Sequence, residues 1–195
     1  MERESQWVAP SPDCPRPELW HAPDRAATEI EVSQFLAALC VALRPARVLE
    51  TGAYRGHTSE AIGKALEGVG HLDSLEIDEA AANEASARVE GLPVTLHRVS
   101  SLDFVPKEPL DLIFFDSEYD LRPTEIVRFR EFASNRCVWV LHDSRNEALV
   151  EALEKLQGDG VIAELIQLPT PRGFALGRYA MDGPPRVDGE ERRAH

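Results

Sequence analysis

The sequence predicts an open, doubly wound α/β sheet of seven mostly parallel strands with one antiparallel edge. Three observations predict it. Apolar residues switch repeatedly between a two-residue and a 3.6-residue period, the run Leu112, Ile113, Phe114, Phe115 is apolar throughout, and the last two apolar runs are separated only by Pro169-Thr170-Pro171-Arg172-Gly173.

Each element follows from local pattern. Thr28 with Glu31 forms a capping-box pattern, after which Val32, Phe35, Leu36, Leu39 and Leu43 mark one helical face that stops before Pro45. A strand over 47–50 leads through Gly52 and Gly56 into a second helix with Ala61, Ile62, Ala65 and Leu66, closed by Gly68. A strand over 72–77, an alanine-rich helix over 79–90 and a strand over 94–99 come next. After a loop, the apolar run at 112–115 reads as a strand buried on both faces, which places it centrally in a parallel sheet. Pro123 suits the first turn of a helix carrying Ile126, Phe129 and Phe132. A strand over 137–141, a helix with Leu149, Leu153 and Leu156 ending near Gly158, and strands over 161–168 and 174–179 complete the pattern of five alternating β/α units and a hairpin.

The flanks differ in character. Pro10, Pro12, Pro15, Pro17 and Pro23 prevent regular pairing, so residues 1–27 read as an extended arm with Trp7 and Trp20 as anchors. Residues 182–195, rich in charge, Gly and Pro, read as a disordered tail, leaving 28–181 as the single domain. The 195 residues suit one domain, and 43% hydrophobic with 28% charged content is ordinary for a soluble protein. No run approaches the roughly 18 to 20 apolar residues of a membrane helix, and no apolar signal-peptide core follows Glu2, Arg3 and Glu4. A cytoplasmic location is expected.

Cys14, Cys40 and Cys137 lie too far apart for a zinc knuckle or redox motif, and the latter two read as core residues. A net charge of −13, from 34 acids against 21 bases, repels phosphate backbones. Arg122, Arg128, Arg130 and Arg136 are interleaved with Glu125 and Glu131, a solvated helix face rather than a nucleic-acid groove.

In such a sheet ligands bind beyond the carboxyl ends of the strands. After the first strand comes Glu50-Thr51-Gly52-Ala53-Tyr54-Arg55-Gly56-His57-Thr58, where glycines admit close backbone approach and a helix start offers free N–H groups. The spacing departs from the dinucleotide fingerprint, and Glu50 disfavours a pyrophosphate while favouring an ammonium or sulfonium group; a merely tight turn is the competing reading. Glu76 stands where a doubly wound fold holds ribose hydroxyls, Asp78 suits a helix N-cap, and Ser101 follows the third strand. The fourth strand ends in Asp116-Ser117-Glu118-Tyr119 and the fifth in His142-Asp143-Ser144, a pair of strand ends able to hold a hard divalent cation, or to offer His142 as a base. The competing reading makes Asp143 a helix cap and His142 a packed strand-end residue.

The run 48–58 followed by Leu75-Glu76-Ile77-Asp78 resembles motif I and the post-I acid of class I S-adenosylmethionine-dependent methyltransferases, particularly the catechol O-methyltransferase group and bacterial natural-product and sugar O-methyltransferases. The resemblance covers about residues 28–180 and implies a Rossmann-like methyltransferase fold. It implies that Glu50, Gly52, Tyr54, Gly56 and Thr58 surround the methionine part of the cofactor, that Glu76 holds the ribose, that Ile77 and Ser101 touch the adenine, and that Asp116 contacts the cofactor. It further implies Mg2+ or a similar ion on Asp116, Asp143 and His142, the same three being the catalytic candidates. Ser144 stands where the catechol enzymes have asparagine and Tyr119 where they have their catalytic lysine, so neither a catechol substrate nor a lysine base carries over. The expected activity is methyl transfer to a small-molecule acceptor, with oxygen favoured. N-methylation, another use of the cofactor, or a non-catalytic nucleotide-binding module are the alternatives, and a homodimer stays open.

Overall fold

Two apolar layers, one on each face of a central sheet, organise residues 10–180, the part of the chain that the computed structural model describes. In chain order the elements are α1 (Ile30–Leu43), β1 (Arg47–Thr51), α2 (His57–Ala65), β2 (His71–Leu75), α3 (Glu79–Arg88), β3 (Val94–His97), β4 (Leu110–Phe115), α4 (Arg122–Phe129), β5 (Ala133–His142), α5 (Glu147–Gly158), β6 (Ile162–Leu168) and β7 (Phe174–Tyr179). The strands form one sheet in the order β3-β2-β1-β4-β5-β7-β6. β1 to β5 pair in parallel, and β7 runs antiparallel to both β5 and β6. This is the expected Rossmann-like architecture.

β4 is central because its side chains from Leu112 to Phe115 are apolar on both faces. Leu112 and Phe114 join the layer under α1 and α2 with Val32, Leu36, Ile62 and Leu66; Ile113 and Phe115 join the layer under α4 and α5 with Ile126, Phe129, Leu149 and Leu153. Cys40 and Cys137 are core residues as expected, and burial pushes both thiols up to about 12.

Two local expectations are corrected, while the loop expected between β3 and β4 is present. The N-cap of α1 is Glu29, without a side-chain cap bond, because the Thr28 hydroxyl donates instead to Asp116 Oδ2 at 2.6 Å. β5 begins at Ala133 rather than Cys137, since a register shift between Leu110 and Leu112 lets the strand pair on past its polar start. No helix joins β3 to β4; residues 98–109 hold Pro106 and Pro109 and lack a helical period, so the alternation is broken there.

Residues 10–29 lie against the β6–β7 loop, with Ser11 N–H donating to the Pro171 carbonyl at 2.6 Å, and Trp20 packs against the α1–α2 layer. Trp7 and the expected tail from Asp182 onward fall outside the described residues. Among the described residues no helix is long and apolar enough to cross a membrane.

The register sets the site. Thr51 lies opposite Leu75 on one side and Phe115 on the other, and Phe115 lies opposite Leu141. The next residues, Gly52, Glu76, Asp116 and His142, therefore emerge along one edge of the sheet, where strand order reverses between β1 and β4.

Candidate active site

A cavity of about 510 Å3 opens at that edge, within the range that holds a small-molecule cofactor. Gly52, Tyr54, Glu76, Ile77, Ser101, Asp116 and Asp143 all line it. Thr58 lines a narrower recess on the far side of Gly52 and Asp116.

At the end of β2, Glu76 is held by two backbone amides: Tyr54 N–H donates to Oε2 at 2.7 Å and Asp78 N–H to Oε1 at 2.8 Å. Asp78 caps α3 as expected, accepting from Ala81 N–H at 2.8 Å. The adjacent Ile77 is 72% exposed at the cavity wall, an unusual place for a large aliphatic side chain unless something covers it. Ser101 is buried at the same wall.

The glycine turn is built differently from the expectation. Gly52 adopts φ +80°, and a Cβ there would press on the backbone of Asp116 and Ser117, so the residue is demanded by the protein's own chain as much as by a ligand. The amides of Gly52 and Ala53 donate to the Leu75 carbonyl rather than into the cavity. Gly56, at φ +76°, lies away from the cavity wall and lets α2 approach Ala85 of α3. Glu50 lies beneath the turn, also away from the wall, where Oε2 accepts from Ser59 Oγ at 2.5 Å and Ser74 Oγ at 2.6 Å. Burial pushes its carboxyl up to about 7, against the two serine bonds. Glu50 thus supports the turn from beneath through Ser59 and Ser74.

Around the ends of β4 and β5 lies a dense ionic cluster. His142 and Glu29 are both 0% exposed, and His142 Nε2 is 2.5 Å from Glu29 Oε2. Its Nδ1 is 2.9 Å from Asp116 Oδ1 and 3.4 Å from Asp143 Oδ2. Arg122 donates to Asp116 Oδ1 at 3.1 Å, to Asp143 Oδ2 at 3.2 Å and to the His142 carbonyl at 2.6 Å. Arg172 Nε faces Asp143 Oδ1 at 3.2 Å and Glu29 Oε1 at 3.7 Å, while its Nη2 donates to the Ala27 carbonyl at 2.8 Å. Burial would pull the His142 imidazole down, but the charges of Asp116 and Asp143 and the bonds to Asp116 and Glu29 outweigh it and push it up to about 10. Burial opposes ionisation of Glu29 and Asp116 too, yet His142 holds both below the usual carboxylate range, helped by Arg172 at Glu29 and by Arg122 and Thr28 at Asp116.

Sequence reasoning located Asp116, His142 and Asp143 but missed Glu29, Arg122 and Arg172. One signal existed: Arg122 opens α4, where the helix dipole disfavours a cation, so a buried arginine there needs carboxylates nearby. Glu29 and Arg172 carry no such mark. Asp143 sits at φ +54°, a left-handed conformation rare outside glycine and typical of residues held in place by a functional site.

No protein-family model matches the sequence, and no curated protein does. Solved structures match in fold. The O-methyltransferase TomG from Streptomyces achromogenes, involved in tomaymycin synthesis and solved with SAM, is 22% identical at a TM-score of 0.70, covering 82% of this chain and 83% of its own. The Podospora anserina methyltransferase PaMTH1, solved with SAH, is 17% identical at 0.72, with 82% of each chain covered. An O-methyltransferase from Bacillus cereus, also with SAH, is 18% identical at 0.68, covering 78% of this chain and 82% of that one. The chain therefore has the Rossmann-like fold of class I S-adenosylmethionine-dependent methyltransferases.

Proposed function

We propose that this protein is an S-adenosylmethionine-dependent methyltransferase acting on a small-molecule acceptor, with oxygen as the acceptor atom. The observation that carries the reading is the pair Glu76 and Ile77, which presents a carboxylate and an exposed aliphatic face to one cavity that Asp116 also lines. A carboxylate suits vicinal ribose hydroxyls, the aliphatic face suits a purine, and the acid beyond suits a cationic head rather than a pyrophosphate. Ser101, which lines the same cavity, suits the purine edge. The fold-mates named as O-methyltransferases support oxygen over nitrogen.

The bound cofactor would supply an electrophilic sulfonium methyl group. The chain's own contribution is to hold that group in line with the acceptor heteroatom and keep its approach fixed, a positioning effect. Glu76, anchored by two amides, cannot swing away from the cavity, and Asp116, fixed by Thr28, Arg122 and His142, is equally rigid. Arg25 and Tyr119 also line the cavity.

Calorimetry with S-adenosylmethionine, S-adenosylhomocysteine and NAD tests the cofactor, and a mass-spectrometric screen of phenols, sugars and amines tests the acceptor. Binding of NAD alone would overturn the reading.

A further inference from the structure

We propose that this site works without a divalent ion: Arg122, Arg172 and a protonated His142 supply the positive charge there, leaving Asp143 Oδ1 as the carboxylate oxygen that meets the acceptor. The proposal rests on the methyltransferase reading only for the nature of the acceptor.

Asp116, His142 and Asp143 do converge, with one potential ligand atom from each lying within 4.8 Å of the others. Apart from Asp143 Oδ1, however, each of these ligand atoms already has a hydrogen-bond partner. Each ring nitrogen of His142 faces a carboxylate, Glu29 at Nε2 and Asp116 at Nδ1. Arg172 Nη2 also approaches Nε2, but at 3.4 Å against 2.5 Å for Glu29, so with both carboxylates ionised both nitrogens donate, and a doubly protonated ring has no lone pair for a metal. Asp116 Oδ1 receives His142 and Arg122, and its Oδ2 receives Thr28. Asp143 Oδ2 receives Arg122.

With His142 doubly protonated, charge gives the same answer. Three carboxylates, Glu29, Asp116 and Asp143, face three cations, Arg122, Arg172 and His142. The buried cluster is already neutral, so a divalent ion would add two uncompensated charges beside two guanidinium groups. Arg122 and Arg172 enter the cluster from separate segments, the start of α4 and the β6–β7 loop, so the balance is built from two sides of the fold.

One atom is different. Asp143 Oδ1 is buried, belongs to a cavity-lining residue and accepts no hydrogen bond; Arg172 Nε lies 3.2 Å away without hydrogen-bond geometry. Its partner oxygen is locked by Arg122, and the residue's left-handed backbone fixes the carboxyl. An acceptor bearing one O–H or N–H donor would complete it. Methyl transfer then forms the heteroatom–carbon bond, breaks the sulfonium–carbon bond and passes the acceptor's proton to Asp143 Oδ1, from which water removes it after product leaves. A catecholate, which binds through two oxygens on a metal, does not fit.

The test uses the full-length protein with uniformly 15N-labelled histidine and Mn2+ as probe. Expected are a His142 ring with both nitrogens protonated at pH 7 and no broadening of its signals when Mn2+ is added in several-fold excess. An unprotonated ring nitrogen, or stoichiometric Mn2+ binding that broadens the His142 ring and is lost in Asp143→Asn, overturns the proposal. S-adenosylhomocysteine calorimetry on the same sample separates the readings: failure there removes the cofactor assignment, whatever the manganese result.

Discussion

His142 Nε2 and Glu29 Oε2 lie 2.5 Å apart although the residues are 113 positions distant in sequence. The contact ties the end of β5 to the start of α1 and brings the preceding segment, with Arg25 and Ala26, to the cavity rim. Its ionisation has consequences for stability that can be measured.

Stability should fall as pH rises. The His142 imidazole titrates near 10 when folded against an ordinary 6.5, so its contribution is complete below about pH 6.5 and is lost as pH climbs to about 10. Urea unfolding should show a decline of up to about 1.4 kcal/mol per pH unit across that window. Glu29→Gln should flatten it. Level stability from pH 7 to 10 in the unmodified protein would show that the ring is neutral.

Glu50 acts at lower pH in the same direction. Its folded value of about 7 against an ordinary 4.5 means the unfolded chain gives up the proton first, so stability drops between those two values. Glu50→Gln should remove that drop and leave the alkaline decline untouched. A slope between pH 4.5 and 7 that survives the substitution would mean that another group causes it.

Glu76→Gln should weaken cofactor binding by roughly 1.5 to 3 kcal/mol through loss of charge-assisted acceptance from the ribose. Because Glu76 also holds the Tyr54 and Asp78 amides, a modest fall in melting temperature should accompany it. Unchanged S-adenosylhomocysteine affinity in calorimetry would remove the ribose assignment.

Ile77→Ser separates site from scaffold. The side chain is 72% exposed, so thermal unfolding should move by no more than about 0.5 kcal/mol. Cofactor affinity should drop by about 1 to 2 kcal/mol, the worth of covering an aliphatic side chain. Equal affinity would show that Ile77 touches nothing bound.

Gly52→Val should lose stability together with cofactor binding, because the left-handed backbone and the neighbouring Asp116 carbonyl both oppose a side chain. Gly68→Ala is the control: φ is +70° but nothing lies within 4 Å, so only backbone strain of about 1 to 2 kcal/mol is expected. Circular-dichroism melting compares them, and a fully stable Gly52→Val protein would refute the clash.

Sequence alone determined what is local. The two periods of apolar spacing placed the strands and helices, the start of β5 excepted, and the uninterrupted run at 112–115 identified β4 as central, because burial on both faces leaves no room for a polar residue within that run. Strand ends in turn pointed to Gly52, Glu76, Asp116 and Asp143, which parallel register then brought to one edge. Tertiary structure alone decided what those residues do. Glu50 meets Ser59 and Ser74, and Gly56 meets Ala85, contacts that depend on the helices laid over the sheet. Glu29, Arg122 and Arg172 reach His142 and the two aspartates across long sequence separations, and such pairings follow from the folding of the sheet rather than from any local period. Which cations meet the strand-end acids was therefore open until the arginines of α4 and the β6–β7 loop were in place.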